Sequence, residues 1–500
     1  MTDDSHSNVS RRRILGSMAA AGAVGALGGL GIRPSFAQSA ARRAANALPS
    51  QGEFIVKGAY VLTMDPKLGE IPGGDIHVRN GAIVAVGRNL AARGAQTIKA
   101  DGMIALPGFI GTHWHMWGAV ARNMAGPTKE TGYFYLSRLL GKFFTPEDNA
   151  RGVRLALAEG LNSGMTTFNN WSHNLLAPEY ADAELAVHKE VGARARFSYG
   201  YSRKTAPNTT LPLDDVARVQ KQYFNGSNTS SDGLLTLGIA ARGPENNSIE
   251  ICQKEWVFAR ARKLAITTHM GTSAERVKKR EGIQTLAKAD LLGPDVLLIH
   301  VTNNSPEDLK LLAQTKTPIS MSPFTELRTG FGITPVGDFL KAGVPVSLSV
   351  DTTILSGNAD MFAIMKAIEN IEDGREKSEY AISPQRVLEM ATIDGARALG
   401  IADRTGSLVP GKRADFSLVR TDTVNMIPFT VPVRMIVQAA QPSDVDAVIV
   451  DGRFLKRHGK LTTVDMGKLR RDADDTIARA REEASKPGAG EGIRGLFTAH

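Results

Sequence analysis

Residues 104–115 read Ile-Ala-Leu-Pro-Gly-Phe-Ile-Gly-Thr-His-Trp-His. An apolar run too short for a helix ends on two histidines one residue apart. On an extended backbone, side chains two positions apart leave on the same side, so both imidazoles can meet one ion. A single His-x-His pair arises often by chance. Here the same device recurs: Leu264–Thr268 ends at His269, Val296–Ile299 at His300, and Val346–Val350 at Asp351. Metal-competent side chains at the C-terminal ends of separate apolar strands are what a (β/α)8 barrel places at its catalytic face.

Outward from this stretch, the strands expected are Ile104–Gly111, Thr166–Asn169, Arg196–Tyr201, Leu235–Ala241, Ala265–His269, Val296–His300, Pro318–Ser322 and Val346–Asp351. Helical stretches lie between them, among them Pro146–Leu161, Ala181–Val191, Ile249–Lys263, Pro306–Ala313 and Asp360–Asp373. Residues 104–402 therefore read as one α/β domain, a (β/α)8 TIM barrel. Both flanks are β-rich. Residues 52–103 hold strands around the hairpin signal Asn80-Gly81, and residues 403–462 hold Ala414–Val419, Asp446–Val450 and the tight turn Asp451-Gly452. The two flanks are expected to pair into one composite β-sandwich. Residues 463–500 read as a charged helical tail on the surface.

Composition sets the outer bounds. The chain has 500 residues, 42% apolar and 22% charged, which is ordinary for a globular protein of one large domain and a smaller one. The net charge of +9 is scattered and forms no basic face, which argues against a nucleic-acid partner. A single cysteine, Cys252, excludes an intramolecular disulfide or a thiolate metal cluster. No Gly-x-Ser-x-Gly elbow is present, against a serine hydrolase. Residues 1–37 carry Arg11-Arg12-Arg13-Ile14-Leu15, an Ala/Gly-rich stretch and the exit Pro34-Ser35-Phe36-Ala37. This has the form of a secretory signal, and its paired arginines resemble a twin-arginine signal. The expectation is export by that machinery to the periplasm or beyond, with cleavage after Ala37. The apolar part is too short and too rich in glycine for a stable membrane anchor.

The segment Leu106–His115 also resembles the first-strand signature of the amidohydrolase superfamily. Gly164-Met165-Thr166-Thr167, His269, His300-Val301-Thr302, Asp351 and Gly406–Asp415 follow in that family's order, so the resemblance covers roughly residues 53–460. The branch it is most similar to holds triazine hydrolases and cytosine or guanine deaminase-like enzymes. The resemblance implies the same barrel and sandwich, and a metal-dependent hydrolase of carbon–nitrogen bonds other than peptide bonds. Strand four ends Ile239-Ala240-Ala241-Arg242-Gly243-Pro244, without the bridging lysine or glutamate of two-metal members. That implies one divalent ion on His113, His115, His269 and Asp351. Such ligands suit Zn²⁺, with Fe²⁺ and Mn²⁺ as alternatives.

In this reading the ion makes hydroxide available near neutral pH, Asp351 takes the water's proton, and His300 orients the hydroxide or polarises the substrate. One position departs from the family. Ring deaminases of the branch carry Glu three residues after the fifth-strand histidine, and Thr272 stands there. Two readings follow. Either the substrate is an amide, urea or carbamate and Asp351 itself serves the leaving group, or another acid reaches in, with Glu326, Glu245 and Glu275 as candidates; the alternative function is then a ring deaminase of a purine, pyrimidine or triazine-like substrate. Trp117, His173 and Glu245 are expected to line the site of a small-molecule substrate. A catalytically degenerate binding protein is the rival class, and a homo-oligomer is compatible with the sequence.

Overall fold

The run Ile104–Gly111 does not form one strand. In the computed structural model, which describes residues 48–202 and 204–486, Met103–Pro107 belongs to a flanking sheet and Phe109–Trp114 opens the barrel. Pro107-Gly108 is the break. The Gly108 amide donates to Asp415 O on the sheet (3.1 Å), and the next amide, of Phe109, to Gly164 O beside the barrel (3.0 Å). The expected leader, 1–37, and the end of the tail, 487–500, lie outside the described residues. Among the described residues no helix is long and apolar enough to cross a membrane.

The barrel has eight parallel strands in chain order: Phe109–Trp114, Met165–Ser172, Arg194–Gly200, Leu235–Ala241, Ala265–Met270, Val296–His300, Ile319–Met321 and Val346–Leu348. The other seven expected strands are each present. Most of their residues are buried on both faces, as a parallel sheet wrapped by helices requires. A bridge from Trp114 to Asp351 joins the eighth strand to the first. Two of the helices start on the same sequence device. In Thr145-Pro146-Glu147-Asp148 and Ser305-Pro306-Glu307-Asp308, the hydroxyl residue caps the helix, proline occupies its first turn, and the aspartate returns a bond to the cap.

The two ends of the chain do pair. Met103–Pro107, from the N-terminal part, runs antiparallel to Phe416–Arg420 from the C-terminal part, inside one nine-stranded sheet. Phe54 meets Phe454 with ring centroids 5.1 Å apart although their strands are not neighbours, so the sheet curls around its own core. The tail helix Met466–Ser485 is more than a surface feature. Thr476 donates to Asp148 Oδ1 (3.1 Å), Arg479 pairs with the same carboxylate, and Ala480 is buried against the cluster of Trp117, Leu136 and Phe144.

That cluster lies directly behind the catalytic face, and Gly152 is what lets it close. A side chain at 152 would overlap the Trp117 backbone carbonyl. Gly152→Ala is therefore expected to destabilise by about 1–3 kcal/mol, toward the upper end because the obstacle is backbone. Chemical denaturation checks this; a midpoint unchanged from the parent protein would show that the helix shifts freely.

Candidate active site

Strand ends deliver the ligand-competent side chains, and unusual backbone aims them. Asp351 has φ 62°, His300 φ 74° and Val301 φ 51°. Non-glycine residues seldom occupy this left-handed region, at a cost of roughly 1–3 kcal/mol each, and such strain collects at functional sites. For Asp351 two backbone bonds hold the conformation: its amide donates to His113 O (3.0 Å), and its carbonyl accepts from the His115 amide (2.7 Å).

The side chains then converge. His113 Nε2 lies 3.2 Å and His115 Nε2 3.3 Å from the same oxygen, Asp351 Oδ1. His300 Nε2 lies 3.7 Å from the other, Oδ2. Ligand atoms of His113, His115 and His269 fall within 4.8 Å of one another, as do those of His113, His300 and Asp351. Burial holds the imidazoles of His113, His115 and His269 well below the usual histidine range, so they stand neutral, with lone pairs available. Burial raises the Asp351 carboxyl against the pull of His300 and His269. Neutral imidazoles that do not hydrogen-bond one another, crowding one buried carboxylate, fit a divalent cation as the shared partner. The expected ligands, His113, His115, His269 and Asp351, are thus brought together, with His300 beside them.

The next layer fixes which lone pairs face inward. Trp117 Nε1 can only donate, and it donates to His173 Nδ1 (3.2 Å). His173 Nδ1 is therefore an acceptor, and His115 Nδ1, 3.0 Å away, must donate to it. That puts the His115 proton on Nδ1 and frees Nε2 for the ion, the usual task of a ligand's outer partner. Trp117 thus corrects its expected role. It is buried in the cluster behind the site and does not line the cavity, so it positions His173 and, through it, His115. His173 does line the cavity.

Glu326 is also corrected. It is fully buried and does not reach the cavity, so it is not the acid expected to reach in. Its carboxylate accepts from Ser322 N (2.7 Å), Thr334 Oγ1 (2.5 Å) and His300 Nδ1 (3.1 Å). Oε1 holds His300 and the Ser322 amide, and Oε2 holds the Thr334 hydroxyl, so both oxygens are engaged away from the cavity. Burial works against a charged His300, yet the bond to Glu326 and the field of Asp351 raise it above the ordinary value. Glu275 lies on the exposed helix Ala274–Arg280 and does not line the cavity either.

The cavity above the cluster holds about 500 Å³. Its floor is His115, His269, His300 and Asp351. Trp171, Tyr201, Tyr133, Phe134 and Phe331 supply aromatic wall, and Glu245, Thr272 and Arg276 supply polar wall. Trp171 packs on His269 with centroids 4.2 Å apart, and Phe331 meets His300 edge-on at 5.2 Å. The sequence reading missed these aromatics as site residues. Trp171 had a signal, since it alternates with Asn169 on the second strand and with His173 just past its end; Phe331 sits in a loop and had none. Burial raises the Glu245 carboxyl despite its bond from the Gly271 amide and the nearby charge of Arg276.

The model of the amidohydrolase family matches residues 104–455, a span that contains all five converging side chains. The chain belongs to the amidohydrolase family. It is 30% identical over 441 residues to the 5-methylthioadenosine/S-adenosylhomocysteine deaminase of Desulforamulus reducens, covering 85% of this chain and 98% of that one. It is 29% identical to the 5′-deoxyadenosine deaminase of Methanosarcina acetivorans, covering 86% and 99%. Among solved structures, an adenosine deaminase from Xanthomonas campestris with bound zinc superposes with a TM-score of 0.78 at 22% identity, covering 87% of this chain and 100% of that one. Atrazine chlorohydrolase from Arthrobacter aurescens TC1, complexed with zinc, gives 0.76 at 22%, covering 85% and 100%. The fold is the amidohydrolase TIM barrel with its additional sheet domain. This amidohydrolase is a metal-dependent enzyme that hydrolyses carbon–nitrogen bonds other than peptide bonds.

The tautomer relay gives a direct test. Trp117→Phe keeps the ring packing and removes the N–H that makes His173 an acceptor. Metal affinity, measured by competition with a chromogenic chelator, is expected to fall by roughly 10–100-fold. Unchanged affinity would mean that His115 does not depend on the relay.

Proposed function

We propose that this amidohydrolase deaminates a planar, amino-substituted nitrogen heterocycle, with a single Zn²⁺ held by His113, His115, His269 and Asp351. The observation that carries this reading is the cavity itself: aromatic side chains form much of its wall and the ligand cluster forms its floor. Flat rings bury well between aromatic faces, which orients one ring edge toward the floor. The relatives named above, which match over nearly their whole length, bear the names of adenosine-type deaminases, in keeping with this substrate class. Bound there, the metal supplies a water acidic enough to ionise near neutral pH. Asp351 is placed to accept that water's proton, and His300, held by Glu326, faces the same space.

A second reading, hydrolysis of an amide, urea or carbamate, is favoured by Thr272. A hydroxyl at that position cannot protonate a ring nitrogen. The two readings separate in one assay. Purified, metal-loaded protein is expected to release ammonia from at least one of 5′-deoxyadenosine, adenosine, guanine and cytosine. Amine release from anilides or phenylureas, with no ammonia from any heterocycle, would replace the first reading by the second. No turnover of either set with metal tightly bound would favour a binding protein.

We also infer export of the folded enzyme through the twin-arginine route, on the signal read in residues 1–37. Blocking that route is expected to leave a longer precursor in the cytosol, seen by immunoblot of cell fractions. Mature protein outside the cytosol in the blocked strain would refute the route.

A further inference from the structure

Among the described residues one carboxyl besides Asp351 lines the cavity, and the ligand cluster does not use it. Glu245 lies four residues beyond the fourth strand. The chain turns at Gly243, with φ 69°, where a side chain would overlap Thr268 on the fifth strand. Two bonds to Gly243 O, from Asn246 N (3.1 Å) and Asn247 N (2.9 Å), lock the turn. Glu245 is thereby carried across the end of the fifth strand, where its Oε1 accepts from the Gly271 amide at 2.7 Å. Gly271 lies between Met270 and Thr272, two residues past His269. Glu245 is only 6% exposed. Its other oxygen, Oε2, has no protein partner among the described residues, and the residue borders the cavity.

We propose that Glu245 is the proton donor to the substrate's ring nitrogen, a carboxyl supplied by the fourth strand's loop beside Thr272. The proposal rests on the deaminase reading above. The proton balance is closed by water. Glu245 Oε2 gives its proton to the ring nitrogen as the carbon–oxygen bond forms. Asp351 takes one proton from the attacking water and passes it to the exocyclic amine. The carbon–nitrogen bond breaks, ammonia leaves, and the remaining hydroxyl proton returns to Glu245 as the ring carbonyl forms. One water is consumed, nothing is oxidised or reduced, and both carboxyls end as they began. Burial, which raises Glu245, favours the protonated form this step needs.

The test uses the whole metal-loaded enzyme and whichever of 5′-deoxyadenosine, adenosine, guanine and cytosine it deaminates fastest. Glu245→Gln keeps an acceptor for the Gly271 amide and loses the acid. Its kcat is expected to fall roughly 10²–10⁴-fold, with KM and metal content little changed. Glu245→Asp, which keeps the acid on a shorter stem, should fall between. Adding Thr272→Glu to Glu245→Gln returns a carboxyl to the same wall and should raise kcat again by about tenfold or more. A Glu245→Gln enzyme with near-normal kcat overturns the proposal and leaves the deaminase reading intact. So does a loss confined to KM, which would make Glu245 a binding group only. If Glu245→Gln fails to fold, the Asp variant decides: kcat equal to the parent enzyme's overturns the proposal. No ammonia from the parent enzyme with any of the four compounds overturns the deaminase reading and this assignment together.

Discussion

Asp351 closes the barrel twice. Its backbone ties the eighth strand to the first through bonds to His113 O and from the His115 amide. Its carboxylate then faces three of the imidazoles that those strands and the sixth carry inward. Closure and ligand convergence are therefore one event. The left-handed backbone at 351 costs about 1–3 kcal/mol, and two backbone hydrogen bonds, worth about 1 kcal/mol each net, offset much of it. A cation shared by the carboxylate and the imidazoles would stabilise the same junction further. The junction that closes the barrel is thus also where its chemistry sits.

Beneath the cluster the barrel is not greasy. Thr112 Oγ1 lies 2.7 Å from Ser320 Oγ and 3.0 Å from Ser347 Oγ. Ser349 Oγ bridges Ser320 (2.8 Å) and Ser322 (2.7 Å). Asn169 donates to Thr112 O (2.8 Å) and accepts from Ser198 (2.7 Å). Hydroxyls that satisfy one another behave as a rigid polar plug, since breaking one contact leaves its neighbour buried and unpaired. The ligands stand on this plug and are aimed by a second set of bonds, Trp117 through His173 to His115 and Glu326 to His300. These bonds decide protonation as well as position, because an imidazole can offer a lone pair inward only if its other nitrogen holds the proton.

How much of this was legible in the sequence follows from range. The strand ends bearing His113, His115, His269, His300 and Asp351 were readable because a strand's direction and period carry its last side chain to a known place. The Thr/Ser-Pro-Glu-Asp helix starts were readable because capping is local. The partition at Pro107-Gly108 was not, since the apolar run is continuous and only the pairing of Met103–Pro107 with the distant Phe416–Arg420 pulls it away from the barrel. Nor could sequence order sort the acids. Glu326 and Glu245 both follow strand ends. One lies on a helix that turns it behind His300, the other on a loop that folds over the fifth strand, and these paths are tertiary facts. Trp117 was misread for the same reason: its neighbour Gly152 admits a close helix, which buries the indole behind the cavity it was expected to line.

The two carboxyls of the cavity are set apart by their surroundings. Asp351 is ringed by imidazoles, with the Thr325 hydroxyl close to its carboxylate. Glu245 has one amide bond, a guanidinium held at Asn246 by a 3.2 Å bond, and an otherwise sheltered position. Equal carboxyl chemistry in unequal environments is how one pocket can hold an acid and a base at the same pH. A planar substrate filling the space between the aromatic walls would sharpen that difference by displacing water that otherwise exchanges protons with both groups. A ring lying between those walls would meet the metal-side carboxylate at one atom and Glu245 at another, so the direction of proton flow across the substrate follows from which strand delivers which carboxyl.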